Sequence, residues 1–324
     1  MPHRGCATRP ESSTGVPEQA AGTPFQEERT AMKPRTRALG NLLYVLPALA
    51  LLALFVYYPL IANIAFGFFS FSAGAGEMTP VGLNNFERLF ADPIIRTALT
   101  NNVIYAIVSM IFQVGGALVI AAWLTRLLGP RMGAFLRSVY FLPAVISMTV
   151  IALLFTFVYN SRGGLLNELL SLIGLGHLQT AWLADVDTAL GSVIAVSQWQ
   201  SIGYVCMLYV VALQQIPQDY YEAAALDGAG RIRQFFSITV PQAKEMIFVA
   251  MILTVSGAFT VFNEPYILTK GGPGNTTQVL ATYMYNQGFF QNQMGYASAI
   301  ASLIFVITLV LSIIQMLSFR SGKD

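Results

Sequence analysis

Six stretches of this chain run for 18 residues or more without a single Asp, Glu, Lys or Arg. They are Ala38–Gly76, Thr97–Thr125, Ser138–Ser161, Thr188–Gln218, Met246–Asn263 and Gly271–Phe319. A segment that crosses a bilayer needs about 20 mostly apolar residues. In hydrocarbon every backbone N–H and C=O must be bonded internally, so such segments are helices. The competing reading is a large soluble helical bundle. Its helices would turn a charged face to water, whereas only 10% of this chain is charged, against about 25% in ordinary soluble domains. We therefore expect an all-α, polytopic membrane protein with spans near 42–66, 100–124, 137–159, 190–213, 246–268 and 297–318.

The remaining charges give an orientation. Of the 18 Lys and Arg, 14 fall on one side of such a topology. Six lie in the amino-terminal tail (Arg4, Arg9, Arg29, Lys33, Arg35, Arg37), with Arg126, Arg131 and Arg137 after span two. Arg231, Arg233 and Lys244 follow span four, and Arg320 and Lys323 follow span six. The other side keeps Arg88, Arg96, Arg162 and Lys270. Positive charge is retained inside, which puts both termini in the cytoplasm of a multi-pass cell-membrane protein.

Residues 1–38 are rich in Pro, Thr, Ser, Gly and charge and lack hydrophobic periodicity, as a disordered cytoplasmic tail does. Met32 is an alternative start, because "MKPRTRALG" flanks span one adequately. A cleaved signal ending at Ala73–Ala75 is disfavoured: the apolar run before it far exceeds a signal core of about 7–15 residues. Three external loops follow. "VGLNNFERLFADP" (81–93) predicts a short helix capped by Asn84 or Asn85, with Phe86, Leu89 and Phe90 on one face. "RGGLLNELLSLIGLG" (162–176) predicts an interfacial helix, and "TKGGPGNTTQ" (269–278) a turn. Residues 39–320 thus form one membrane domain.

Catalytic signatures are missing from the sequence. His3 and His177 have no partner at ligand spacing, and Cys6 and Cys206 suggest neither a disulfide nor a metal site. "KGGPGNTT" lacks the Gly-Lys-Ser/Thr ending of a phosphate loop. We expect no enzyme activity, no catalytic residue, no metal and no cofactor.

The cytoplasmic loop 214–244 reads "IPQDYYEAAALDGAGRIRQFFSITVPQAKE" over most of its length. Asp219 is a candidate N-cap with Glu222 three residues on. The alanines leave a smooth face, and Asp227-Gly228 and Gly230 break the helix. A second short helix is expected over 231–238, with Phe235, Phe236 and Ile238 as apolar contacts. Two readings are open: an amphipathic connector at the membrane surface, or a knob that docks in a partner's cleft.

"EAAALDGAGRIRQFFSITVP" resembles the EAA loop of binding-protein-dependent ABC-importer permeases, through Glu222, Ala223, Ala224, Gly228, Ile238 and Pro241. The family usually has Leu where Val240 stands. "VGLNNFERLFADP", "FLPAVIS", "LQQIPQDYYEAAALDGA" and "YILTKGGPGNTT" look like the carbohydrate branch, similar to maltose and glycerol-phosphate permeases, so the resemblance spans about 38–320. It implies the type I importer permease fold and import of a sugar or sugar-like solute. The implied partners are a second homologous permease, two ATP-binding subunits and an extracytoplasmic solute-binding protein. No nucleic acid is expected, and ATP would be bound by the partners. Glu222 would anchor in the ATPase cleft, Ala223 and Ala224 would allow close approach, and Asp227 and Gly228 would set the turn before Pro241.

Position relative to the loop further implies a solute path through Gln200, Ser201 and Tyr204 in span four and Thr254, Gly257 and Ala258 in span five. Maltose-type relatives have a polar residue at Ala258. For Gln200 and Ser201 the alternative is hydrogen bonding between helices, and for Gly257 close packing. Trp199 is either a sugar-stacking platform or packing. Glu264, an acid near the outer end of span five, is a functional residue by its chemistry, or a helix-end or gate residue. The rival function is an ion-coupled secondary transporter, which calls for more buried charge or an inverted repeat. A membrane enzyme and an assembly subunit without a path of its own are further alternatives.

Overall fold

A computed structural model describes residues 44–74, 77–126 and 130–321. The expected tail 1–38 and the alternative start at Met32 lie outside them. The chain divides into two units, Met1–Phe55 and Val56–Asp324. In the first, the described residues 44–55 are helical and exposed.

Among the described residues five helices are long and apolar enough to cross a membrane: Tyr44–Phe66 (α1), Pro93–Arg126 (α3), Ala189–Gln214 (α7), Lys244–Thr269 and Met294–Phe319. A short helix, Asn84–Ala91 (α2), precedes α3. The stretch expected as span three is not one straight helix. It is a pair, Arg131–Val145 (α4) and Met148–Val158 (α5), bent by 95°. The reason is local. Pro143 can donate no hydrogen bond, and Ser147 is extended (φ −55°, ψ 132°). The fifth run also breaks, at Val261 and Phe262, into Lys244–Thr260 (α10) and Asn263–Thr269 (α11). Further helices include Leu165–Leu172 (α6), Asp219–Leu226 (α8), Arg231–Gln234 (α9), Leu280–Tyr285 (α12) and Met294–Ser321 (α13). The only strands among the described residues pair Phe69–Ser70 with Thr79–Pro80.

Three apolar clusters hold the second unit. One gathers Tyr105, Ile151, Val193, Val196 and Phe259, where α3, α5, α7 and α10 meet. A second joins Ala117, Ala121 and Leu124 of α3 to Cys206, Tyr209 and Leu213 of α7 and Ala250 of α10. Small residues here let helices approach closely, which is how packing is gained in lipid. One very close approach is at Gly203. A Cβ there would collide with the Tyr140 carbonyl oxygen and crowd Phe141 Cα, so α4 crosses α7 backbone to backbone.

The third cluster joins Leu89, Ile95 and Ala98 to Leu280, Tyr283, Tyr296 and Ile300. Neither Asn84 nor Asn85 caps α2, whose N-cap is Leu83. Asn85 instead donates to the carbonyls of Gly67 (2.9 Å) and Phe69 (3.0 Å). Leu89 is buried, but Phe90 is 83% exposed and does not share its face.

Asp92 caps α3 through the Ile94 amide (2.9 Å) and accepts from Tyr283 Oη (2.6 Å) and Tyr296 Oη (2.8 Å). Burial works to raise its carboxyl. The two tyrosine hydroxyls, the Ile94 amide and the Arg88 charge outweigh that and hold it below the ordinary carboxylate range. A carboxyl lowered by folding adds stability above its unfolded value of about 3.9 and loses it as pH falls through the lower native value. The detergent-solubilised protein should therefore melt at a lower temperature as pH drops below about 4. Asp92→Asn should melt lower at neutral pH and show a shallower acid dependence. An unchanged slope would exclude this carboxyl as a source.

Candidate functional site

Two features merit a functional reading, an exposed hairpin and a polar cavity. The hairpin starts where α7 ends. Gln218 is the N-cap of α8, without a side-chain cap bond, and Asp219 is already helical, so the expected Asp219 cap is not made. Gln218 Nε2 instead donates to Glu222 Oε1 (3.0 Å). The helix closes on Gly228, whose φ of +79° is left-handed and suits glycine. There the Gly228 and Ala229 amides reach back to the Ala225 and Ala224 carbonyls (3.0 and 2.9 Å). Glu222, Ala223, Asp227, Gly228 and Pro241 are exposed and Ala224 is half-buried.

The second arm is not one regular helix over 231–238. α9 ends at Gln234, and residues Phe235–Thr239 form a π turn. Phe235 packs on the second core cluster while Phe236 stays exposed. The two arms are pinned together from inside. Tyr221, buried, has its hydroxyl 3.1 Å from Thr239 Oγ1, and Gln234 Nε2 donates to the Ala229 carbonyl (3.0 Å). The Arg126 guanidinium, at the end of α3, lies over the Tyr221 ring. The tip is thus rigid toward the helices and bare outward, with Leu226 90% exposed.

The cavity, about 330 Å³, lies between α3, α7 and α10–α11. Ser201, Tyr204, Thr254, Gly257, Ala258 and Glu264 line it, six of the eight residues expected on the path. Trp199 and Gln200 do not. Trp199 packs on Phe155 (ring centroids 5.4 Å apart), and Gln200 Nε2 donates to the Ile146 carbonyl (3.1 Å). Gln200 therefore satisfies a carbonyl at the α4–α5 bend, the way broken helices in lipid are repaired.

Sequence reasoning missed Tyr105, Ser109, Gln113 and Ser197 on the same wall. Their spacing was a signal: 105, 109 and 113 lie four apart, and 197, 201 and 204 fall on one helical face. Glu264, in the first turn of α11, is 8% exposed. Its carboxyl interacts with Ser197, whereas the Tyr105 hydroxyl is buried without a hydrogen-bond partner among the described residues. The hydroxyl of Thr254 is buried without a hydrogen-bond partner among the described residues. Among the described residues no Lys, Arg or His lines the cavity.

A pair of asparagines braces the Ala258 side of the cavity from behind. Asn102 Nδ2 donates to the Ala258 carbonyl (2.7 Å), and its Oδ1 accepts from the Leu280 amide (3.0 Å). Asn101 Nδ2 donates to the carbonyls of Thr276 (2.8 Å) and Gln278 (2.7 Å). The Gly-Gly-Pro-Gly turn is thereby tied to α3.

This chain is similar to known proteins along most of its length. The sequence model of the family described as "binding-protein-dependent transport system inner membrane component" matches residues 117–321. The probable ABC transporter permease protein YurN of Bacillus subtilis (strain 168) is 56% identical over 282 residues, covering 87% of this chain and 96% of that protein. The lactose transport system permease protein LacF of Rhizobium radiobacter is 33% identical, covering 91% and 98%. Among solved structures, a chain of a bacterial ABC transporter involved in the import of the acidic polysaccharide alginate superposes with a TM-score of 0.76 at 23% identity, over 90% of this chain and 99% of that one.

Proposed function

The chain belongs to the family of binding-protein-dependent transport system inner membrane components, and from that premise we propose that it is the permease subunit of an ATP-driven importer for a neutral sugar or oligosaccharide. The observation that carries the solute class is the cavity within the spans. It offers hydroxyls and an amide from Ser201, Thr254, Tyr105 and Gln113 and one carboxyl, Glu264, and its lining has no cation among the described residues. Sugar hydroxyls can donate to Glu264 and accept from Thr254. A phosphate or uronate would be buried beside a carboxyl with nothing of opposite charge, which costs several kcal/mol. The names of relatives favour sugars too, lactose among them.

In this reading both termini face the cytoplasm, and the hairpin Asp219–Thr239 is the handle for one of two ATP-binding subunits. Glu222 and Asp227 are its charged contacts, Ala223 and Ala224 its close-packed face, Gly228 its turn and Pro241 its hinge with α10. A second homologous permease completes the pore, and an extracytoplasmic binding protein delivers the solute. A lever between two packed states needs no catalytic group of its own, and ATP chemistry belongs to the partners. An ion-coupled transporter is less favoured, since among the described residues Glu264 is the only charged group in the cavity lining.

The test is uptake by vesicles holding the complete transporter and its binding protein, with radiolabelled neutral, amino and acidic disaccharides. Uptake should require ATP and binding protein and should reject acidic sugars. Glu264→Gln should lower neutral-sugar uptake about tenfold, the loss of one charged hydrogen bond. Uptake driven by a proton or sodium gradient without ATP would overturn the proposal.

A further inference from the structure

A second cavity, about 520 Å³ and distinct from the polar one, opens beside the end of α3 that carries Arg126. Val119, Trp123, Phe235 and Phe236 make most of its apolar wall, and Arg126 and Arg231 share its lining. Trp123, Arg126, Arg231 and Phe236 are all exposed. Among the described residues no acid lines it. Its volume falls in the range of about 300–1,000 Å³ usual for small-molecule sites. It is thus amphipathic: an apolar slot whose charged members are both cationic.

Its place along the chain matters as much as its chemistry. α3 is a membrane span, and Arg126 is its last residue. A slot there stands at the level where acyl chains give way to headgroups. Tryptophan is enriched at that level, and basic pockets between spans take anionic headgroups. The Arg126 guanidinium lies over the Tyr221 ring, and a contact to the ring face leaves its N–H groups available for an oxyanion.

We propose that this slot binds an anionic phospholipid, its acyl chain along Val119, Trp123 and Phe235 and its phosphate between Arg126 and Arg231. The bound lipid would brace the second arm of the hairpin against α3, because one wall of the slot is Phe235–Phe236 and the other is α3. A protein segment is the less fitting occupant. It would have to supply both a long apolar stretch and an acid pair at this spacing, and it would compete with bulk lipid for the slot.

The experiment uses the full chain in detergent, titrated with brominated phosphatidylglycerol or brominated phosphatidylcholine at equal mole fraction. Quenching of tryptophan emission should be stronger with phosphatidylglycerol. The excess should vanish in Trp123→Phe and weaken as salt screens the headgroup. Arg126→Gln and Arg231→Gln should each weaken phosphatidylglycerol binding about fivefold, and together about 25-fold. Arg126→Lys should keep the preference, which separates lost charge from a disturbed Tyr221 stack. Equal quenching by the two lipids would overturn the proposal. So would a preference that persists in the Arg126→Gln/Arg231→Gln double variant, or a slot found occupied by a partner protein in the assembled transporter.

Discussion

Replacing Gly228 with valine is expected to reduce ATP-driven uptake to background while the protein still accumulates in the membrane. Gly228 sits at φ +79° with open space around it, so a side chain meets no neighbour and the whole penalty is backbone strain. For an ordinary residue in the left-handed region that is roughly 1–2 kcal/mol, and a β-branched residue is worse off. Such a cost is small beside the stability of a buried helix bundle but comparable to everything that fixes the tip. The bonds of Gly228 and Ala229 to Ala225 and Ala224 should open, and α8 should lose its closing turn. The Tyr221–Thr239 contact lies on the other side of the hairpin and should hold the arms near the bundle. In the proposed coupling role, a tip displaced by a few ångströms should no longer seat in a partner cleft. Uptake and ATP hydrolysis measured on the purified complex decide the matter: hydrolysis should lose its stimulation by loaded binding protein. Normal uptake by Gly228→Val would remove the hairpin from the coupling path.

The second large effect concerns two glycines only superficially alike. At Gly203 a methyl would occupy the place of the Tyr140 carbonyl oxygen. Both sides of that contact are backbone, so no rotamer change relieves it. Overpacking of this kind costs about 1–3 kcal/mol, and 1 kcal/mol lowers the melting temperature of a protein this size by about 2–4 °C. Gly203→Ala should melt about 5–10 °C lower, or fail to accumulate. A methyl placed on Gly257 would have no neighbour within 4 Å, and this glycine lines the polar cavity. Gly257→Ala should keep or slightly raise the melting temperature, because alanine is the better helix former by about 1 kcal/mol, while reducing solute uptake. If Gly257→Ala destabilised and Gly203→Ala did not, the assignment of packing to one and solute space to the other would be reversed.

The helices were readable because charge is excluded from hydrocarbon, and the uncharged runs mark where that exclusion operates. What stayed hidden depended on partners distant in sequence. Hydropathy passes through Pro143 to Ser147 without a ripple, yet the chain turns by 95° there, and the carbonyl of Ile146 is repaired by Gln200 of another helix. The same bond takes Gln200 out of the cavity, which no pattern within α7 could reveal. α7 contacts α3, α4, α5, α10 and α11 at once, so apolar residues lie on more than one of its faces, and its lining side is marked only by Ser197, Ser201 and Tyr204. The position of Trp199 was ambiguous for that reason, whereas Ser201 and Tyr204 fell on the lining side. The Asp219 cap failed for a local reason, because Gln218 one residue earlier took the capping position and spent its side chain on Glu222.

The asparagine pair at the start of α3 has a mechanical consequence. Asn101 and Asn102 join three carbonyls and one amide drawn from α10, the Gly-Gly-Pro-Gly turn and α12. Three of these bonds are buried and the one to Thr276 is partly so, which leaves water little room to replace them as they break. The turn cannot swing away as an independent flap: it is bolted to the wall that carries Ala258. Any opening at that end has to carry α3, the turn and α12 as a single block, with the bending confined to the break at Val261–Phe262 and to the π turn at Met110–Gly116.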